Sequence, residues 1–203
     1  MEVMVMSRRM LICAIFAALA FGLVLQISAV EKGAQSSKGK YSYVGMKKCR
    51  MCHRSEKRGN QFEKWQKSKH AKAFLTLKTP KAVELAKKAG VEGNPWESPE
   101  CLKCHVTAFD AKPKLRKKIK NENGVSCEAC HGPGSGYSKL SIMKERKKAM
   151  AAGLRMPKEK DEKDPKKRTC TRCHNPESPT YREFNFKEFY KKIAHPIPKK
   201  GKG

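Results

Sequence analysis

Four copies of one pattern constrain this chain more than anything else in it. They are Cys49-Arg50-Met51-Cys52-His53, Cys101-Leu102-Lys103-Cys104-His105, Cys127-Glu128-Ala129-Cys130-His131 and Cys170-Thr171-Arg172-Cys173-His174, and they use eight of the nine cysteines. Two thiols at this spacing reach the two vinyl groups on one edge of a porphyrin and bond to them as thioethers. The residue that follows is then placed to turn its imidazole onto the iron, which is why C-x-x-C-H marks c-type haem attachment. Two competing chemistries use cysteine pairs. Zinc would take them two by two into four-cysteine sites, for example 49/52 with 101/104 and 127/130 with 170/173. Disulfides suit exported chains. Neither gives a reason for a His behind every second Cys. The pattern therefore predicts four covalently bound c-type haems, with Cys49, Cys52, Cys101, Cys104, Cys127, Cys130, Cys170 and Cys173 as attachment points. His53, His105, His131 and His174 are the expected proximal iron ligands.

The composition agrees. Only 38% of the 203 residues are apolar and 7% aromatic, against a formal charge of +27, where soluble domains usually carry about 45–50% apolar residues. Much of the apolar content lies in the first 30 positions. A conventional enzyme core is excluded, whereas four flat apolar discs, covalently stapled, supply the missing interior. The next Cys follows each motif His by 48, 22 and 39 positions, which packs the haems into one array. The fold expected is all-α: one multihaem domain over residues 41–195, with little regular core, its helices and loops wrapped around the haems. The apoprotein is expected to be largely unfolded.

Residues 1–29 carry the parts of an export signal: Ser7-Arg8-Arg9, an apolar run from Leu11, and small residues at Ser28-Ala29. The alternative is an uncleaved membrane anchor over residues 11–30, which just reaches spanning length. Both put the domain outside the cytoplasm, in the periplasm or an equivalent compartment. Cys13 is ordinary filler of this segment. Residues 30–40 form a polar linker and 196–203 a basic tail. Export argues against nucleic acid as the partner of so basic a chain; redox proteins with acidic docking surfaces, or an anionic membrane, fit better.

Four six-coordinate haems need eight axial ligands, and the chain holds six His. Only His70 and His195 remain after the proximal set, so at most two irons are bis-histidine. His70 falls in 61–77, which has the pattern of one helix with Ala73, Phe74 and Leu77 on the face of His70. Asn185 is placed to cap a helix from Phe186 that Pro196 terminates just after His195. Thr79, Pro80 and Gly90 delimit another helix, and a further one is expected over about 139–151. Met46, Met143, Met150, Met156, Tyr137 and several lysines qualify by type as sixth ligands, with no spacing to single one out.

The chain resembles the cytochrome c-554 family, tetrahaem carriers that take electrons from hydroxylamine oxidoreductase in ammonia-oxidising bacteria. The resemblance runs from Tyr41 to His195 with gaps. It rests on Gly45-x-x-x-Cys49, Trp65-x-x-x-x-His70-Ala71-Lys72-Ala73, Cys101 to Val106, Gly124 to Gly134 and the helix from Phe186 to His195. It implies a mostly helical chain with haems in close stacked pairs, three of them bis-histidine and one five-coordinate, and His70 and His195 as distal ligands. The family's third distal His follows the third motif. Here Gly132–Met143 contains none, so one more iron than in the family lacks a His partner.

The leading functional expectation is an electron carrier between redox proteins, in nitrogen-compound respiration. The alternative is an enzyme that reduces a small nitrogen oxide at a haem with an open axial position. A subunit of an extracellular haem filament is suggested only by the haem count.

Overall fold

The computed structural model describes residues 39–195; residues 1–29, nearly all of the linker and the tail lie outside them. Every regular element among the described residues is helical, and no strand occurs. The α-helices are α1 (Met46–His53), α2 (Gln61–Gln66), α3 (Ala73–Thr76), α4 (Pro80–Lys88), α5 (Pro99–His105), α6 (Cys127–His131), α7 (Leu140–Met143), α8 (Arg146–Ala151) and α9 (Phe186–Ile193). Short 3-10 turns lie between them. None of the described helices is long and apolar enough to cross a membrane.

Where the sequence carries strong end signals, the helices follow them. Thr79 Oγ1 accepts the Ala82 N–H at 3.3 Å, and Pro80 opens α4 at a position whose N–H has no partner to lose. Lys87 and Lys88 in the last turn suit the negative end of the helix dipole. Asn185 Oδ1 accepts the Glu188 N–H at 3.1 Å at the start of α9.

Two expected helices are broken. The stretch 61–77 splits into α2 and α3, with His70 in the turn between. Ser68 Oγ donates to the Trp65 carbonyl at 2.6 Å, and the His70 carbonyl accepts from Val125 N–H at 2.9 Å, a partner from another part of the chain. That carbonyl also accepts the Ala73 N–H at 3.2 Å, a tight i+3 turn bond in place of the i+4 bond of an α-helix. The stretch 139–151 splits into α7 and α8 because Glu145 is extended (φ −113°, ψ 103°).

The apolar core is small: Phe74, Leu77, Leu102 and Val106, flanked by Trp96, Cys101, Phe109 and Ile119. It joins α3 to α5, the helix of the second motif. Elsewhere buried polar groups do the joining. The Glu128 carboxylate, 1% exposed, accepts the backbone N–H groups of Val44 (2.9 Å), Gly45 (2.8 Å) and Gly134 (2.7 Å). It thus fastens the segment before α1 to α6. Thr107 Oγ1 accepts the Ser126 N–H at 2.7 Å, tying the end of α5 to the start of α6.

Two glycines allow close approaches. Gly124 has φ +56°, and a Cβ there would lie 2.6 Å from the His70 carbonyl oxygen. Gly45 has φ +77°, and its Cβ would lie 2.5 Å from the Lys118 carbonyl oxygen.

Candidate functional site

Three of the four motifs end helices. Cys49, Cys52 and His53 close α1, Cys101, Cys104 and His105 occupy α5, and Cys127, Cys130 and His131 make up most of α6. One helical turn brings the two sulfurs of a pair to the same side, as both must meet one porphyrin edge. The fourth motif lies in a run of turns. There the Glu162 carboxylate substitutes for a helix by accepting the N–H groups of Thr169, Cys170 and Thr171 at 3.2, 2.9 and 2.9 Å.

The motifs meet in pairs that chain order does not suggest. The Cys49 and Cys127 thiols are close enough to shift each other's ionisation, so the first motif meets the third. The Cys104 and Cys173 thiols do the same, and Lys103 Nζ pairs with Glu177 Oε2 at 2.8 Å, so the second motif meets the fourth. Among the described residues no three His, Cys, Asp or Glu side chains converge as a metal site, and none of the eight motif cysteines is in a disulfide. The neighbouring Cys127 and then burial hold the Cys49 thiol far above its ordinary value, and burial first, helped by Cys127 and Cys173 and opposed by Arg155 and Arg172, pushes Cys130 up to about 11.

The two non-motif histidines each face a motif histidine. The rings of His70 and His174 have centroids 6.0 Å apart at 75°, and those of His131 and His195 are 5.8 Å apart at 43°. Metal–imidazole bonds run about 2 Å, so two rings bonded to opposite faces of one metal hold their centroids about 6 Å apart. All four imidazoles are held below the ordinary His range, first by burial. For His70 and His195 the facing His comes second. They are therefore neutral, the form that bonds a metal. Phe184 stacks on His174 at 5.2 Å, and Phe189 of α9 lies 5.9 Å from it.

His53 and His105 have no imidazole opposite them. Their rings are nonetheless aimed. His105 Nδ1 donates to the Ala73 carbonyl at 2.8 Å, His131 Nδ1 to the Arg155 carbonyl at 2.9 Å, and His53 Nδ1 pairs with Gln61 Oε1 at 2.9 Å. An Nδ1–H held this way leaves the Nε2 lone pair for a metal. Of the other ligand candidates, Tyr137 is committed elsewhere: it is buried, and its hydroxyl donates to the Gly132 carbonyl at 2.7 Å. Met150 and Met156 line a hollow with Leu154 and Arg155, and Met150 is exposed.

One more feature suits a haem. Arg116 lies against the Phe109 ring and lines a hollow of about 500 Å³ with Phe109, Pro113 and Ile119. Its Nε is buried without a hydrogen-bond partner among the described residues, and a carboxylate such as a haem propionate would satisfy it. The residues present fit c-type haem.

The sequence alone missed the carbonyls and Gln61 that aim the rings, the clamps of Glu128 and Glu162, and Arg116. A backbone acceptor carries no residue signature. Glu128, lodged between two motif cysteines, was the one of these with a readable signal.

Residues 48–132 match the model of the family described as cytochrome c554 and c-prime. Cytochrome c-554 of Nitrosomonas europaea is 31% identical over 123 residues, which are 59% of this chain and 50% of that protein. The chain thus spans about half the length of this curated relative. The structure of reduced cytochrome c554 from the same organism aligns with 75% of this chain and 78% of its own at a TM-score of 0.45 and 24% identity. The first three motifs, from Cys49 to His131, all lie in the stretch that matches the cytochrome c554 and c-prime model.

Proposed function

We propose that this chain is an exported tetrahaem c-type cytochrome that carries electrons between redox proteins, one haem on each motif. His174 and His70 serve one iron, His131 and His195 another, and His53 and His105 bind the other two without a second imidazole. The observation that carries this reading is the pair of facing imidazoles at 6.0 and 5.8 Å. The bound haems would supply reversible one-electron chemistry at iron, tuned by axial ligands, burial and nearby charge.

The protein's own groups do the rest. The motif cysteines anchor, and the Nδ1 bonds of His53, His105 and His131 fix ring orientation, which raises ligand basicity. Meeting of the first motif with the third and the second with the fourth brings the cofactors close. Residues 1–29 direct export or retain the chain at the membrane, and the resemblance to the cytochrome c-554 carriers of ammonia-oxidising bacteria supports nitrogen-compound respiration as the setting.

A second reading has one specific observation in its favour. His53 and His105 lack a facing imidazole, and a small nitrogen oxide could be reduced where no second ligand competes.

The test is a carbon monoxide difference spectrum of the dithionite-reduced protein, normalised to haem. The expected result is four haems per chain, with half of them shifted. Absence of c-type absorbance would refute the haem assignment. Bands that ignore carbon monoxide would refute the two one-imidazole irons. Turnover of nitric oxide or hydroxylamine by the purified protein would favour the second reading.

A further inference from the structure

The 112–120 loop (KPKLRKKIK) is the densest acid-free basic stretch among the described residues. It holds Lys112, Lys114, Arg116, Lys117, Lys118 and Lys120 with no acid among them. The five lysines are exposed, and among the described residues none of the six cations is in an ion pair. Asp110 and Glu122 only flank it. The longer basic stretch 144–168 is interleaved with Glu145, Glu159, Asp161, Glu162 and Asp164, and Glu145 and Asp164 pair with its lysines. Lysines of α4 and α9 are likewise paired.

The loop is also held in place. The Leu115 carbonyl accepts the Tyr43 N–H at 2.8 Å, the Lys118 carbonyl sits against Gly45, and Ile119 packs on the Leu102–Val106 core. Its anchors are therefore the segment leading into α1 and the helix α5. Those are the elements of the first and second motifs, the two whose His have no facing imidazole. A fixed, uncompensated cationic surface at this place attracts an acidic macromolecule and orients it toward those two motifs.

We propose that the 112–120 loop is the docking surface through which an acidic electron-transfer protein exchanges electrons with the haems of the first two motifs. This rests on the carrier reading given above. In the exchange one electron leaves the reduced partner and converts one ferric haem to ferrous, with no bond made or broken.

The test uses the full holoprotein and flavodoxin, a strongly acidic redox protein, as the probe. A loop variant, K112E/K114E/K118E/K120E, is compared with K144E/K147E/K158E/K160E, which changes net charge equally at the acid-interleaved stretch. Arg116 and Lys117 are left alone because they line the hollow beside α5. Stopped-flow reduction by flavodoxin hydroquinone is read at about 0.1 M salt, where screening over about 10 Å makes only charges near the contact count. The Kd for oxidised flavodoxin is read by calorimetric titration, which needs no electron transfer.

The expected result is a rate at least about tenfold lower and a weakened Kd for the loop variant, with the control within about twofold of wild type. The difference should vanish near 1 M salt, where the screening length is about 3 Å. Equal losses in both variants would mean that only total charge matters and would overturn the proposal. So would an unaffected loop variant, or one that loses binding to phosphatidylglycerol vesicles while keeping its flavodoxin rate. The neutral set K112Q/K114Q/K118Q/K120Q, expected to show a smaller loss of the same kind, replaces the reversals if these fail to fold. Uncharged photoreduced lumiflavin separates the two readings. If it fails to reduce the wild type, the carrier reading falls; if it succeeds where flavodoxin fails, docking alone falls.

Discussion

The Glu128 carboxylate offers the sharpest perturbation, because its three bonds can be removed one at a time. Its Oε1 accepts from Val44 and Gly134 and its Oε2 from Gly45. Burial pushes its carboxyl above the ordinary range, and the three backbone donors pull it back only in part. In Glu128→Ala, the Gly45 and Gly134 N–H groups are left buried without acceptors, at about 1–3 kcal/mol each. The Val44 N–H is part-buried and can turn to water. The expected cost is about 4 kcal/mol, or a fall in Tm of roughly 8–16 °C at 2–4 °C per kcal/mol for a chain this size. Glu128→Gln keeps a carbonyl oxygen for Val44 and Gly134 and presents its amide N–H to Gly45, donor against donor. One bond is lost, at about 1–3 kcal/mol. The assay is thermal unfolding of the holoprotein followed by circular dichroism at 222 nm and by the haem bands. A loss of under about 1 kcal/mol for Glu128→Ala would refute the clamp. Equal losses for Ala and Gln would show that charge, not the count of acceptors, holds the segment to α6.

Removal of either non-motif imidazole should open one iron. His70→Ala and His195→Ala are each expected to raise carbon monoxide binding by one equivalent per chain, and an unchanged stoichiometry would break the assigned pairs. Gly124→Ala forces a Cβ against the His70 carbonyl at a positive φ and should cost about 1–3 kcal/mol, read as a lower Tm with a disturbed low-spin signal from the His70 iron. Asn185→Ala should cost about 1 kcal/mol by loss of the α9 cap, measured by denaturant unfolding; no change would remove the cap from the account. Expression without haem attachment should leave a chain with little far-ultraviolet helical signal, since so few side chains form its core; a native-like spectrum would contradict that.

The motifs, the all-helical class and the ligand shortfall were all legible in the sequence, and each for a local reason. C-x-x-C-H is a contiguous pattern set by the width of a porphyrin edge. The caps at Thr79 and Asn185 act within one turn. The count of six His is independent of fold. Local pattern failed where the chain was overruled from a distance. The 61–77 periodicity was that of a single helix, but the His70 carbonyl accepts Val125 N–H from another segment alongside the Ala73 N–H of a tight turn, and the helix breaks there.

The pairing of His70 with His174 and of His195 with His131, and of the first motif with the third, is a matter of contacts between residues as far as 104 positions apart. No periodicity records such contacts. Their enforcers are backbone acceptors and two buried carboxylates, Glu128 and Glu162, of which only Glu128, inside a motif, stands out in the sequence. Composition led to the expectation of a fold built around something other than its own side chains. Only the tertiary structure decided which imidazoles face each other across that interior, because that choice is made by hydrogen bonds between segments rather than within them.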